Sequence, residues 1–179
     1  MPEPIIITSN KTKLILNLIS SLIFVGLGVW ILTARPDVGN IIFNIPIIKY
    51  GAGIASVIFF GFGVVVFIRR LTDKEPALVI DDKGIIDNST AVAAGLIPWE
   101  DITHIYTRQV MNQKFIMIGV SNPETYIGRH SSGFKKRIMR TNLKTYGSPI
   151  SIAANGLKTD FTSLVATLNE RWSGFKMAP

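Results

Sequence analysis

The sequence predicts an α+β membrane protein in which two transmembrane helices form a hairpin ahead of a mainly β-stranded domain. Two long uncharged runs, residues 14–34 and 50–68, predict the hairpin. Short β-rich runs separated by turn residues follow from residue 76, and an amphipathic helix ends the pattern. The 179 residues are 47% hydrophobic, with a mean hydropathy of +0.35, and 17% are charged. This balance is typical of a protein with one membrane part and one water-soluble part.

Each apolar run is long enough to cross a bilayer. The first contains 21 residues and the second 19, and neither includes Asp, Glu, Lys or Arg. At a rise of 1.5 Å per residue, about 20 helical residues cover the roughly 30 Å of bilayer hydrocarbon. The first run is too long for the apolar core of a secretory signal and lacks a small-x-small cleavage site, so it predicts a retained span. The lack of charge within the spans argues against a proton relay or an ion pathway.

The distribution of Lys and Arg around the spans predicts their orientation. Five basic residues flank the outer ends of the hairpin, whereas the connecting loop, residues 35–49, holds two. Because short segments rich in Lys and Arg are retained on the cytoplasmic side, both termini are expected in the cytoplasm. Residues 1–74 are then an N-terminal tail and the hairpin, and residues 75–179 form a cytoplasmic domain. The flanking basic residues are Lys11, Lys13, Arg69, Arg70 and Lys74.

Small residues in the second span predict close packing of helices. Gly51 and Ala55 have the small-xxx-small spacing that lets two helix backbones approach, and Gly61 continues the series of small residues. Gly26 and Gly28 of the first span are one possible partner for this surface. A second copy of the chain or another membrane protein is the other, and the sequence leaves both open.

The cytoplasmic domain begins with a predicted meander of four or five strands. The β-rich runs 77–80 and 85–88 flank Asp81-Asp82-Lys83-Gly84, which predicts a hairpin whose turn needs the glycine backbone. Turn chemistry also accounts for the two aspartates, since no further metal ligand stands nearby in the sequence. Three more β-rich runs follow, at 91–97, 98–110 and 114–120.

Helical patterns predict an insert and a closing helix. Residues 122–124, Asn-Pro-Glu, suit a helix start, with Asn as the cap, Pro in the first turn and Glu at the positive helix end. The helical pattern continues with one interruption to Lys144, and a strand is predicted at 150–154. The last helix is expected from about 159 to 172, where apolar residues recur on one helical face. That face should cover the open side of the sheet.

Four short stretches carry a family resemblance: LVIDDKGIID at 78–87, GLIPWEDI at 95–102, NPETYI at 122–127 and GSPISI at 147–152. They resemble small bacterial membrane proteins that have two N-terminal transmembrane helices and a pleckstrin-homology-like cytoplasmic domain. The resemblance spans most of the chain and implies a β-sandwich or barrel with a C-terminal capping helix, held at the bacterial plasma membrane. The helical insert departs from a plain pleckstrin-homology layout. Because the biochemical role of these proteins is largely unassigned, the resemblance implies architecture more than function.

Charge is unevenly distributed within the cytoplasmic domain. Residues 75–124 carry three basic and seven acidic residues, whereas residues 125–159 carry seven basic residues and no acid. Most of these basic residues lie in the helical segment 122–145, called the basic insert below. Its candidate residues for binding lipid or a partner are Arg129, Lys135, Lys136, Arg137, Arg140 and Lys144.

The basic insert is open to three interpretations. Phe134 and Ile138 share one helical face and are expected to dock on the domain, which leaves the basic residues in water. The basic residues then form a solvated face, pair with Glu100 and Asp101, or contact anionic lipid. In the third case each basic residue near the membrane surface contributes about 1 kcal/mol to the binding free energy. Nucleic acid is disfavoured, because no stacking aromatic residues interleave with the bases as in a DNA- or RNA-binding module.

No combination of residues predicts catalysis, a cofactor or a metal site. His104 and His130 are 26 residues apart, without a spacing typical of metal ligands. No serine lies in a nucleophile motif, and no glycine-rich phosphate-binding loop follows a strand. Trp99 is interpreted as a core residue at a strand entry, with ligand stacking as the alternative. The sequence therefore favours a non-enzymatic protein.

Three functional hypotheses follow, and the sequence favours the first two. The first is a membrane-anchored interaction module whose cytoplasmic domain contacts anionic lipid headgroups or a protein partner. The second is an immunity-type or accessory subunit of a membrane complex, which recognises another membrane protein through the hairpin. Either is compatible with a homo-oligomer. An enzyme or transporter is the third possibility, and it would require a polar pocket that converges on Trp99, Glu100 and His104.

Overall fold

The computed structural model describes residues 3–34 and 45–177, so residues 35–44 of the expected outer loop lie outside the described residues. The chain divides into two compact units. One lies within residues 10–74 and is called the hairpin. The other combines residues up to Ser9 with those from Glu75 onward and is called the β domain. The predicted α+β class is confirmed: two long apolar helices are followed by two antiparallel sheets and a C-terminal helix.

Two long apolar helices form the hairpin. Helix α1 spans Lys11–Ala34 and helix α2 spans Pro46–Thr72. Asn10 caps α1, since its Oδ1 accepts a hydrogen bond from the Lys13 N–H at 3.1 Å. Only 11% of the most apolar window of α1 and 6% of that of α2 are buried. Both helices are candidate membrane spans by length and composition, and their exposed apolar surfaces differ from those of a helix in a soluble core.

The two helices of the hairpin meet through small residues. A Cβ added to Gly28 would lie 3.0 Å from the carbonyl oxygen of Gly53, so the two backbones approach closely at this point. Ser56 Oγ donates a hydrogen bond to the Phe24 carbonyl oxygen at 2.9 Å. Phe24 also stacks on Phe60, with ring centroids 4.4 Å apart. These contacts fix the register of α1 against α2.

The helix-packing residues that the sequence predicts do not contact α1 at this close approach. They are Gly51, Ala55 and Gly61 of α2. A Cβ added to Gly51 or Gly61 would meet no atom within 4 Å beyond its own helix turn. Ala55 is exposed, as is Phe62. At about 100° per residue, Gly51, Ala55 and Phe62 share a helix face opposite to Gly53. Within the hairpin, Gly53 and Gly63 are therefore the glycines of α2 that pack against α1, and the face of Gly51 and Ala55 points away from α1.

The β domain contains two antiparallel sheets. The first has the strand order β1-β2-β3-β4, built from Ile5–Ile7, Leu78–Ile80, Gly84–Asp87 and Gly95–Pro98. The second has the order β5-β6-β7, built from Ile102–Val110, Gln113–Val120 and Ile150–Ala153. A 3₁₀ turn at Trp99–Asp101 links the sheets. Over the described residues the two sheets remain separate and do not close into a barrel.

Three helices complete the β domain: α3 at Pro123–Gly128, α4 at Gly133–Tyr146 and α5 at Phe161–Met177. The basic insert therefore begins at Pro123 and is interrupted before α4, as the sequence predicts. Gly147, with a φ of 83°, ends α4 in the left-handed conformation that favours glycine. Asp160 caps α5, since its Oδ2 accepts a hydrogen bond from the Ser163 N–H at 2.9 Å.

Strand β1 was expected to be part of an N-terminal tail, but it forms an edge of the first sheet. Ile7 pairs with Leu78, and the Lys158 N–H donates a hydrogen bond to the Thr8 carbonyl oxygen at 2.9 Å. A three-residue strand shows too little alternation to be predicted from sequence. The β domain is thus completed by chain from both ends of the hairpin. The hairpin is inserted between two neighbouring strands of one sheet.

The core of the β domain lies between the two sheets and the helices. Ile80, Ile85 and Ile97, one on each of three successive strands, are fully buried. Leu164 and Leu168 of α5 belong to the same apolar cluster. The amphipathic face at the end of the chain therefore covers the sheets, as its pattern predicts.

Gly84 is the residue on which the β2–β3 turn depends. Its φ is +154°, and an added Cβ would overlap the carbonyl oxygen of Ile97 on β4. We expect Gly84→Ala to lower the free energy of unfolding of the β domain by about 2–4 kcal/mol, because an overlap of the Cβ atom with backbone cannot be relieved by rotating a side chain. Chemical denaturation in detergent measures the change. Gly156→Ala, where an added Cβ would meet no atom within 4 Å, is the matched control; equal stability of the two variants would contradict the expectation.

Candidate functional site

The basic insert presents a positively charged face on α4. Arg137, Arg140 and Lys144 are exposed. At about 100° per residue, the three lie within about 60° of one another around the helix axis. Lys136 is half-buried on the flank of this face, whereas Lys135, also half-buried, lies on the opposite side of the helix, on the side of Met139. The helix therefore carries a continuous basic face in contact with solvent, called the basic face below.

The expectation that Phe134 docks on the domain is wrong, since its side chain is 73% exposed. Ile138 is half-buried, and the residue that anchors α4 is Met139, which is fully buried. Leu143 packs against the same core. Position 134 lies about 140° around the helix from position 139, so the two cannot both face the domain. A methionine between basic residues is a weak sequence signal for an anchor. The aromatic residue instead stands exposed at the start of the basic face.

Arg129 is engaged by the fold. Its Nη1 donates hydrogen bonds to the carbonyl oxygens of Ala94 at 2.9 Å and Leu96 at 2.6 Å. The guanidinium also lies over the ring of Tyr126, 4.1 Å from the centroid. These contacts tie the end of α3 to strand β4. The guanidinium of Arg129 is therefore already bound by two backbone carbonyls and an aromatic ring of the β domain. This distinguishes it from the exposed basic residues of α4.

The acids near the basic insert make contacts that the sequence did not single out. Asp101 Oδ2 accepts a hydrogen bond from the hydroxyl of buried Tyr126 at 2.5 Å. Burial and this hydrogen bond raise the pKa of Tyr126, so the hydroxyl stays protonated and acts as a donor. The acid that reaches the basic face is Glu124, whose Oε2 lies 3.3 Å from Arg140 Nη2. Both side chains are exposed, so this pair contributes little to stability.

Trp99 lies in the core at the turn between the sheets. It is 3% exposed, and its Nε1 donates to the Asp81 carbonyl oxygen at 2.9 Å. One open cleft of about 680 Å³ borders Trp99, and a different one of about 720 Å³ borders His104. Trp99 and His104 therefore face separate spaces and do not converge on one polar pocket with Glu100.

The two histidines lie in separate environments. His104 on β5 stacks on Tyr106, with ring centroids 5.1 Å apart, and its ring covers Gly119. His130 lies between α3 and α4, half-buried, with a buried Nε2 atom. In the part of the chain that the structure describes, no group of three or more His, Asp or Glu is arranged to hold a metal ion.

Similarity to known proteins does not identify the function. No family model, no curated protein and no solved structure matches the chain. The functional interpretation therefore depends on the surfaces of this chain: the apolar hairpin, the basic face and the exposed aromatic residue beside it.

His130 is expected to make the β domain less stable at acidic pH. Burial lowers the pKa of His130, and the positive charge of Lys135 lowers it further. Below the ordinary histidine pKa of about 6.5, the unfolded chain therefore takes up a proton that the folded domain does not, and stability falls as the pH falls. We expect His130→Gln to lose less thermal stability than the wild type between neutral pH and about pH 5, a range that brackets that pKa. Equal losses in the two proteins would contradict this assignment.

Proposed function

We propose that the protein is a non-enzymatic, membrane-anchored interaction module whose β domain contacts anionic lipid headgroups through the basic insert. The observation that carries the proposal is the exposed basic face of α4 with Phe134 exposed at its start. Basic residues beside an exposed aromatic side chain are typical of segments that bind the membrane interface. Each basic residue near an anionic surface contributes about 1 kcal/mol, so the three residues of the face and Lys136 on its flank are together a substantial attraction.

The insertion of the hairpin into a sheet supports placing both of its ends on one side of the bilayer. Strand β1 precedes α1, strand β2 follows α2, and the two strands are paired neighbours. With both helices spanning the membrane, their outer ends share one membrane face. The excess of Lys and Arg at these ends favours the cytoplasmic side. The proposed location is accordingly the plasma membrane of a bacterium, which the family resemblance implies.

A pleckstrin-homology-like class for the β domain is part of the same proposal. The resemblance implies a β-sandwich or barrel capped by a C-terminal helix. Support comes from antiparallel sheets of four and three strands with α5 packed on their shared core. The basic insert, α3 and α4, is then an addition between β6 and β7 of that layout.

Lipid contact by the basic insert is tested with a label at its exposed aromatic position. The chain has no cysteine, so Phe134→Cys in the full-length protein accepts a single environment-sensitive fluorophore. The full chain is needed because residues 5–7 supply a strand to the β domain. In vesicles that contain anionic lipid, we expect the fluorophore to report an apolar environment, and in neutral vesicles an aqueous one. Added salt should reverse the anionic signal, because the Debye length shrinks from about 10 Å at 0.1 M to about 3 Å at 1 M.

Charge reversal on the basic face separates electrostatic contact from simple proximity. Adding Arg137→Glu and Lys144→Glu to the labelled protein should abolish the difference between anionic and neutral vesicles. The matched control reverses two exposed lysines elsewhere, Lys83→Glu and Lys158→Glu, with the same change in net charge. The control should keep the difference. Equal loss in both pairs, or equal signals in the two vesicle types from the start, would contradict lipid contact through the basic insert.

An immunity-type or accessory subunit that recognises another membrane protein is the second candidate function. The observation that favours it is the position of Gly51 and Ala55 on the face of α2 that points away from α1. Two small residues four apart let a helix backbone approach closely, whether from a different membrane protein or from a second copy of this chain.

The second candidate is tested by filling that face of α2. We expect Gly51→Leu with Ala55→Leu to abolish co-purification of a partner from native membranes, because the larger side chains keep another helix away. The hairpin itself should remain folded, since a Cβ at position 51 meets no atom within 4 Å. Gly26→Leu places the same bulk at an exposed position of α1 and is the matched control. Retention of the partner by the α2 variant, or its loss in both variants, would contradict recognition through Gly51 and Ala55.

A further inference from the structure

The first sheet of the β domain carries aliphatic residues on both of its faces. One face belongs to the buried core. On the other face, four aliphatic residues are direct cross-strand partners, one on each strand, and are called the outer row: Ile6, Val79, Ile86 and Leu96. An antiparallel sheet with one face in water normally alternates apolar and polar residues. A sheet that is apolar on both faces is therefore typical of one that is covered on both sides.

The outer row is open on the β domain. Ile6 is 61% exposed and Leu96 is 41% exposed, while the two central members are half-buried. With strands about 4.8 Å apart, the row extends about 14 Å across the four strands. It includes no charged residue, in contrast to the basic face of α4. An uncharged aliphatic strip of this length needs an apolar partner.

Two strands of the outer row lead directly into the apolar helices. Three residues separate β1 from α1, and five separate α2 from β2. Even when fully extended at about 3.6 Å per residue, these connections reach at most about 11 Å and 18 Å. The hydrocarbon core and both headgroup layers together measure about 40–45 Å, which leaves each interfacial layer about 5–8 Å deep. Once the helices span, the β1–β2 end of the sheet is held within reach of that layer.

We propose that the outer row is a lipid-facing surface that lies against the interface of the membrane that the hairpin spans. The bilayer is the occupant that these observations favour, because two adjacent strands of the row are tethered to it and the row is uncharged. The far end of the row adjoins the basic insert, since Arg129 donates a hydrogen bond to the Leu96 carbonyl oxygen. Apolar residues bordered by basic ones are the composition of surfaces that rest in the interface. The proposal rests on the hairpin spanning the membrane and is independent of anionic lipid binding by the basic face.

Contact of the outer row fixes the orientation of the β domain. A domain held only by its two connections is free to tilt around them. A domain that also places Leu96, three strands away from β1, at the interface lies with the first sheet parallel to the membrane plane. The edge of β4 and the α3 end tied to it are then kept at the level of the headgroups.

The proposal is tested by measuring membrane accessibility at single labelled cysteines in the full-length protein. Nitroxides at Leu96→Cys and Ile86→Cys report on the outer row, and nitroxides at Gln109→Cys and Thr162→Cys report on exposed positions of β5 and α5. In vesicles of neutral lipid, the collision rates of each nitroxide with oxygen and with a water-soluble nickel complex are compared. Oxygen concentrates in lipid, so we expect oxygen collisions to exceed nickel collisions at 86 and 96, with the reverse at 109 and 162.

Each outcome supports or overturns the proposal. Nickel collisions in excess of oxygen collisions at positions 86 and 96 overturn it. Low rates with both reagents, together with spin–spin broadening that grows with the protein-to-lipid ratio, show that a second copy covers the row and also overturn it. Two outer-row positions are labelled so that a folding defect in one, detected by circular dichroism, leaves the other to decide. The experiment uses neutral lipid, so its result does not depend on anionic lipid binding by the basic face. Arg137→Glu with Lys144→Glu should accordingly leave the collision rates at position 96 unchanged. A negative result for the outer row is therefore distinct from a negative result for the proposed function.

Discussion

The pairing of β1 with β2 is the interaction on which the arrangement of this protein depends. Ile7 and Leu78 are cross-strand partners although the whole hairpin lies between them in the sequence. Bringing together two strands that are so far apart in the sequence would cost much conformational entropy if the segment between them were flexible. That segment is instead a packed helix pair, so its two ends already lie close together. The sheet and the hairpin therefore support each other: the close contact of Gly28 with Gly53 aligns the two helices, and the aligned helices deliver two strands to adjacent positions.

In the proposed membrane-anchored protein, this constraint decides which surfaces of the β domain can reach the bilayer. A domain joined to a bilayer by one flexible linker presents every face to it in turn. Under the proposal that the hairpin spans a membrane, two short connections from neighbouring strands restrict rotation and keep surfaces beside those strands within reach of the interface. The aliphatic outer row begins on β1 and β2 and ends on β4, where Arg129 joins the basic insert to the sheet. The uncharged strip thus leads from the two connections to the end of α3 that carries Arg129.

The sequence predicts the elements better than it predicts their contacts. Uncharged length alone identifies α1 and α2, and the Asn-Pro pair at 122–123 marks the start of α3, because these signals are local. Strand β1 escapes prediction, since three residues carry no period and its partner lies beyond the hairpin. Small residues recur on several faces of α2, so their spacing does not show whether Gly51 or Gly53 packs against α1. The contact in the structure identifies Gly53. The sequence likewise does not show which side of α4 faces the core. Contacts of Met139 and Leu143 with residues distant in the sequence determine this, and they leave Phe134 exposed.

Tethering also decides how strong the membrane contacts need to be. A free domain must recover the translational and rotational entropy that binding costs, whereas for a tethered domain the spans have already met that cost. A short connection gives the tethered domain an effective concentration in the millimolar range at its binding surface. A contact with a Kd of about 1 mM, which corresponds to a binding free energy of about 4 kcal/mol, is then about half occupied. In the two proposed contacts, a few basic residues at about 1 kcal/mol each would reach that range in anionic membranes, and burial of the aliphatic outer row would add to it without dependence on salt. Each contact would be weak for the free domain. Under the two proposals, weak and reversible contacts together would suffice to give the tethered domain a preferred orientation.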